Sequence, residues 1–222
     1  MIDVGLLVVY VHILAWVFWL GADVGVFILG KYAQNPAHSV EQRLLLLQVA
    51  MLIDKFPRVS MVISLATGFY LSLASGWLNL PTVISAAIWL MMAFWFFVIV
   101  VRVRAEQAPH WVELSEKIIY YAILFLIGAA VGATLMGATI VAASWLFAKL
   151  GLIAIVLVMV LWLEKAFQPA VVGFMQLATD GSSPELEGRI RGAMDTTYAS
   201  VIGIYVCTLL AGLFGVLKPA LW

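Results

Sequence analysis

His12, Trp16, Trp19 and Asp23 follow one another at steps of four, three and four residues. On a helix they share one face, because eleven residues at 100° each bring the chain back to nearly the same angle. A neutral imidazole on such a face can ligate haem iron or copper, or carry protons; the alternative is a buried histidine bonded to a neighbouring helix. The stretch that holds them, residues 5–29, is apolar and long enough to span a bilayer. An ionised aspartate at the centre of a spanning helix costs roughly 2.5–3.5 kcal/mol on insertion scales, so this face is expected to look into the protein or a wet cavity.

Other residues could join this chemistry. Lys149 opens a later apolar run, in Trp145-Leu146-Phe147-Ala148-Lys149-Leu150, four or five residues below the end of the bundle at which His12 sits about 10 Å deep. An imidazole and an ammonium would then share one cavity, unless the lysine snorkels to the interface. Asp23 lies some 16 Å further in, where Arg58 is expected to neutralise it. Arg58 could instead hold an acidic or propionate-bearing ligand with its planar fork. Trp16 and Trp19 are deep enough to line a flat cofactor. Met51, Met61, Met91, Met92, Met136 and Met159 offer dispersed thioethers. His38 and His110 fall in loops, which leaves His12 as the one intramembrane histidine and argues against a bis-histidine haem within one chain.

The composition says what kind of element carries these groups. The chain has 222 residues, 65% hydrophobic and 11% charged, with no net charge and a mean hydropathy of +1.10. A soluble domain carries about 25% charged residues, so this is a membrane composition. Nucleic acid is excluded as a partner for want of a basic cluster, and one cysteine, Cys207, allows no internal disulfide. Met1-Ile2-Asp3 lacks the basic start of a cleavable signal, so the first run reads as a retained span.

Apolar runs at about 5–29, 46–75, 82–101, 118–141, 145–164 and 196–217 predict an all-α, polytopic integral membrane bundle of six transmembrane helices, one domain over 1–222. Pro57 is expected to break the second run, leaving 39–54 as an interfacial helix. Lys and Arg collect in the first, third and fifth loops, and the connections near 76–81 and 141–145 are uncharged. This predicts N-out, C-out topology. The fifth loop, around Gly181-Ser182-Ser183-Pro184, reads as a solvated connection. Small residues recurring in 66–76 and 130–139 suggest a helix-pair repeat over about 46–101 and 118–164, and close helix packing accounts for them equally well.

These residues also carry a resemblance. VHILAWVFWLGADVGVF, with His12 followed by Phe18-Trp19-Leu20-Gly21, resembles the first helix of HemJ-type protoporphyrinogen oxidases and their CopD-like relatives. Pro57-Arg58 with Thr67-Gly68-Phe69-Tyr70-Leu71 is similar to that family's second helix, and the Trp145–Leu150 segment to its Trp-Leu-x-x-Lys stretch. The lysine segment opens the fifth span here rather than the third. The resemblance implies haem- or porphyrin-linked redox chemistry resting on His12 and Lys149. Expected, then, is a multi-pass protein of a bacterial cytoplasmic (inner) membrane, a membrane oxidoreductase with haem b or porphyrin held by His12, Trp16, Trp19 and Arg58. His12 would be the metal ligand, and a quinone or an electron-transfer partner would take the electrons. The alternatives are passage of copper or a small solute, and a non-catalytic place in a homo-oligomer or larger membrane complex.

Overall fold

The computed structural model describes residues 3–105 and 108–221, so Met1 and Ile2 of the N-terminal stretch lie outside the described residues. The chain folds into α1 (Val4–Ala33), α2 (Val40–Ile53), α3 (Lys55–Ala74), α4 (Thr82–Arg104), α5 (His110–Leu135), α6 (Ser144–Asp180) and α7 (Pro184–Leu217). Among the described residues the only β pairing is one antiparallel bridge between Leu78 and Val141. Five helices, α1, α4, α5, α6 and α7, are long and apolar enough to cross a membrane.

Local chemistry sets the helix ends. Asp3 accepts hydrogen bonds from the Gly5 and Leu6 amides and starts α1. Ser39 and Gln42 close a reciprocal capping box on α2. Pro57 acts one turn upstream of itself. Its ring opposes the carbonyl four residues earlier, which belongs to Ile53, and that is where α2 stops. Asp54 nevertheless keeps helical dihedrals, so α2 and α3 are two parts of one broken rod running back along α1.

Six helices close a ring in the order α1, α3, α4, α5, α6, α7, each against the next, and helices across the ring make no close backbone approach among the described residues. One half of the ring is filled by Met61, Val62, Trp95, Tyr120 and Leu157. The other half, towards the α3–α4 and α5–α6 hairpins, is hollow.

At the opposite, charged end the expectation of a solvated fifth loop is corrected. Both helices run on, α6 to Asp180 and α7 from Pro184, and meet at a turn whose Gly181 has φ 78°. Glycine takes that dihedral without the Cβ penalty. The extended hairpin packs on α2 and the end of α1 through Ala33, Phe174, Leu177, Ile190 and Met194. Such a core was invisible in a stretch whose polar residues are spaced among the apolar ones. Arg43 locks it. Its side chain is 1% exposed, Nε donates to the Ala33 carbonyl at 2.7 Å, and the two terminal nitrogens hold Glu187 at 2.6 and 2.9 Å. The guanidinium also stands over the Phe174 ring.

Removing one partner of a buried pair strands the other charge, at a cost of about 3 kcal/mol or more. Glu187→Ala is therefore expected to lower the thermal midpoint of the detergent-solubilised protein clearly, and Glu185→Ala, on an exposed residue of the same turn, to leave it in place.

Candidate functional site

The site begins with the imidazole of His12, which crosses from α1 to α3. Its Nδ1 lies 2.9 Å from the Ser64 carbonyl oxygen and 3.0 Å from Thr67 Oγ1. A carbonyl oxygen only accepts, so Nδ1 carries the proton and donates. Thr67 sends its own proton to the Ile63 carbonyl at 2.6 Å, which leaves its oxygen free to accept. Nε2 is thereby the unprotonated nitrogen. Among the described residues it has no hydrogen-bond partner, and it is not sealed from the cavity beside it.

Three glycines provide the space for the large side chains of the site. A Cβ on Gly68 of α3 would stand 3.0 Å from His12 Cε1, on Gly212 of α7 it would stand 2.8 Å from the Trp16 ring, and on Gly215 it would stand 3.0 Å from Lys149 Nζ. The imidazole, the indole and the ammonium thus each lie directly on a neighbouring backbone. Trp16 also donates from Nε1 to the Thr208 carbonyl at 3.3 Å, tying α1 to α7. Lys149 forms no ion pair or hydrogen bond among the described residues, and its charge is felt at His12. The Thr208 hydroxyl is buried without a partner.

These groups line a cavity of about 830 Å³ in the hollow half of the ring, within the roughly 300–1,000 Å³ usual for small-molecule sites. His12, Trp16, Trp19 and Lys149, singled out in the sequence, all reach it. Its walls are otherwise largely apolar, and Met91 and Met92 are the methionines among them. Trp19 also packs against the core that floors the cavity. Over the hairpin end lies a roof. Asn79 donates from its amide to the Ile140 carbonyl at 2.8 Å, and Ala142 to the Trp77 carbonyl at 2.9 Å. Trp77 meets Trp145 edge to face at 4.8 Å, with Lys218 Nζ 4.5 Å above the Trp77 ring.

Arg58 does not join the site. It lies outside the cavity lining and pairs with Asp54, at 2.7 Å one helical turn away. This corrects both the expected Asp23–Arg58 pair and the expected place of Arg58 beside a ligand. The break before Pro57 leaves Asp54 in helical phase with Arg58, and an i, i+4 partner wins over one on another helix. Asp23 rests against Tyr205 of α7, within electrostatic reach of Asp54 and Arg58. It is also outside the cavity lining, on the far side of the floor. His38 stacks on Tyr32, and neither it nor His110 lines the cavity.

Ser64, Thr208, Gly212, Gly215 and Lys218 belong to the site and were not singled out in the sequence. What the two glycines of α7 accommodate depends on which large side chain lies opposite. Among the described residues no group of three or more His, Cys, Asp and Glu is placed to hold a metal ion; a single imidazole with an open Nε2 is a different kind of site. No family model, curated protein or solved structure matches the chain.

Gly68→Ala is expected to push the imidazole off Ser64, shifting the His12 signals in a nitrogen-15 spectrum of histidine-labelled protein. Gly128→Ala, which meets nothing within 4 Å, is expected to leave them where they are.

Proposed function

We propose that the chain is a six-span protein of a bacterial cytoplasmic membrane, with α3 as the sixth span and the hairpin end outward, that binds a haem or porphyrin in the cavity of the hairpin half. The observation that carries this reading is the open Nε2 of His12, oriented by the Ser64 carbonyl and facing an apolar space of about 830 Å³. Metal-ligating histidines characteristically donate their other ring nitrogen to a carbonyl or carboxylate, which fixes the tautomer and raises ligand basicity. A bound haem or porphyrin would supply one-electron redox chemistry, in exchange with a quinone or a partner chain.

The chain's own residues have distinct parts in this reading. His12 Nε2 would hold the iron of a haem, or accept a proton from a metal-free porphyrin. Lys149, without a counter-charge, takes a carboxylate through a charge-assisted bond. Trp16 and Trp19 offer flat faces. The Trp95 floor keeps the charged end out of contact with the ligand. Passage of copper or a solute is the weaker reading, because a path from His12 to Asp23 would have to cross that floor.

An absorption spectrum tests the proposal. A Soret band is expected in the purified protein or on adding haem, and to be lost in His12→Ala. Lys149→Gln, which removes the charge and shortens the side chain by one atom, is expected to cost about 1.5 kcal/mol, roughly tenfold in Kd. Arg58→Gln is expected to bind as wild type does. A protein that develops no Soret band under either condition would overturn the haem reading.

A further inference from the structure

The walls of the cavity are unequal. On α5 and α6 every lining residue, including Ile123, Leu126, Ile153 and Val156, is buried or half-buried. On α1 the lining residues Leu6, Val9 and Ile13 are 68%, 38% and 51% exposed, and facing them on α7 Val216 is 77% exposed. Residues that line a cavity while reaching the outer surface mark its openings: the most exposed stand on both sides of the α1–α7 seam, and Tyr70 and Ile84, 37% and 42% exposed, mark a lesser one between α3 and α4. Deeper in the molecule the same seam is closed by Phe27 against Tyr198 and Tyr205, with ring centroids 5.0 and 6.2 Å apart. In the hairpin half the hydrogen bond across it among the described residues is that of Trp16, which lies on Gly212 and donates to the Thr208 carbonyl. The roof, by contrast, is fastened by backbone hydrogen bonds and an edge-to-face tryptophan pair, and the C-terminal segment joins it where the Leu221 amide donates to Ser144 Oγ at 2.8 Å.

We propose that the cavity is filled from the bilayer through the α1–α7 seam, and that its ligand is a lipid-soluble amphiphile whose anionic group is taken by Lys149. The seam is continuous with the apolar outer faces of two helices fit to span a membrane, so what borders the opening is hydrocarbon. Of the charged side chains at the cavity, Asp3 caps α1, Lys218 is spread over Trp77 and Trp145, and Lys149 has no ion pair among the described residues. A cation in such a wall selects for a ligand that brings the opposite charge on an apolar body. This inference concerns the route and solubility of the ligand and does not rest on iron binding; a porphyrin carboxylate and a fatty or isoprenoid acid satisfy it alike.

Labelling in phosphatidylcholine vesicles tests the route without any haem, so its outcome is separate from that of the spectrum. With Cys207 replaced by Ser, Ile153→Cys puts a thiol on the α6 wall, and Ala138→Cys puts one on the exposed hairpin as a water-facing control. A pyrene maleimide dissolved in the bilayer is expected to label the cavity thiol. A sulfonated maleimide supplied on both sides is expected to label it at least about tenfold more slowly than the control, since a sulfonate would have to enter hydrocarbon. Val216→Trp, which fills the seam from an exposed position, should slow the pyrene reaction several-fold, and Trp16→Ala should speed it. Labelling of the cavity thiol by the sulfonated reagent at the control's rate would overturn the proposal. So would a pyrene reaction indifferent to Val216→Trp, or no reaction with either reagent.

Discussion

A proton on one ring nitrogen governs this site. His12 stands in a helix surrounded by apolar residues, where an imidazole N–H without an acceptor would cost on the order of 1–3 kcal/mol. The acceptor is a backbone carbonyl of α3 that already belongs to a helix and has a second lone pair to give. Reaching it requires the ring to lie on Gly68, the one residue type that leaves that space. The contact fixes how closely α1 and α3 approach, and it turns the other nitrogen towards the hollow half of the ring. The direction in which any chemistry can occur follows from that single donation.

The same logic distributes the remaining polar groups. At the charged end the cations are paired, Arg58 with Asp54, Arg102 with Glu116, Arg43 with Glu187, and Lys55 with the Val103 carbonyl, while Gln34 Oε1, Glu116 Oε1 and the Tyr198 hydroxyl are buried without partners. In the hairpin half Lys149 and His12 Nε2 have no hydrogen-bond partner among the described residues, and both residues line one apolar space. Between the two lies a core of Met61, Val62, Trp95 and Leu157.

Glycines connect these two features. In membrane helices small residues usually bring backbones together. Here Gly68, Gly212 and Gly215 instead let an imidazole, an indole and an ammonium rest on a neighbouring backbone, while Gly173 serves the ordinary purpose, with Ile190 so near that a Cβ would stand 2.6 Å from it. The two uses cannot be told apart along a sequence, because the residue that fills the space comes from another helix.

The sequence alone determined the class of molecule, since an 11% charged chain with long apolar runs can be stable only as membrane helices. It also placed the starts of α1, α4 and α6 and the break before Pro57, whereas α5 and α7 begin at His110 and Pro184, well before the expected 118 and 196; His12, Trp16, Trp19 and Lys149 stood out because an ionisable or bulky polar group inside an apolar run is conspicuous wherever the run lies. Partnerships were not legible. Asp23 and Arg58 had compatible charges and depths, yet helical phase gave Arg58 to Asp54; the fifth loop looked solvated, yet Arg43 and Phe174 gave it a core. Tertiary structure decided these, along with the side of the imidazole that is free. The physical reason is the same in each case: composition and periodicity report what a helix exposes, and only packing determines what lies opposite.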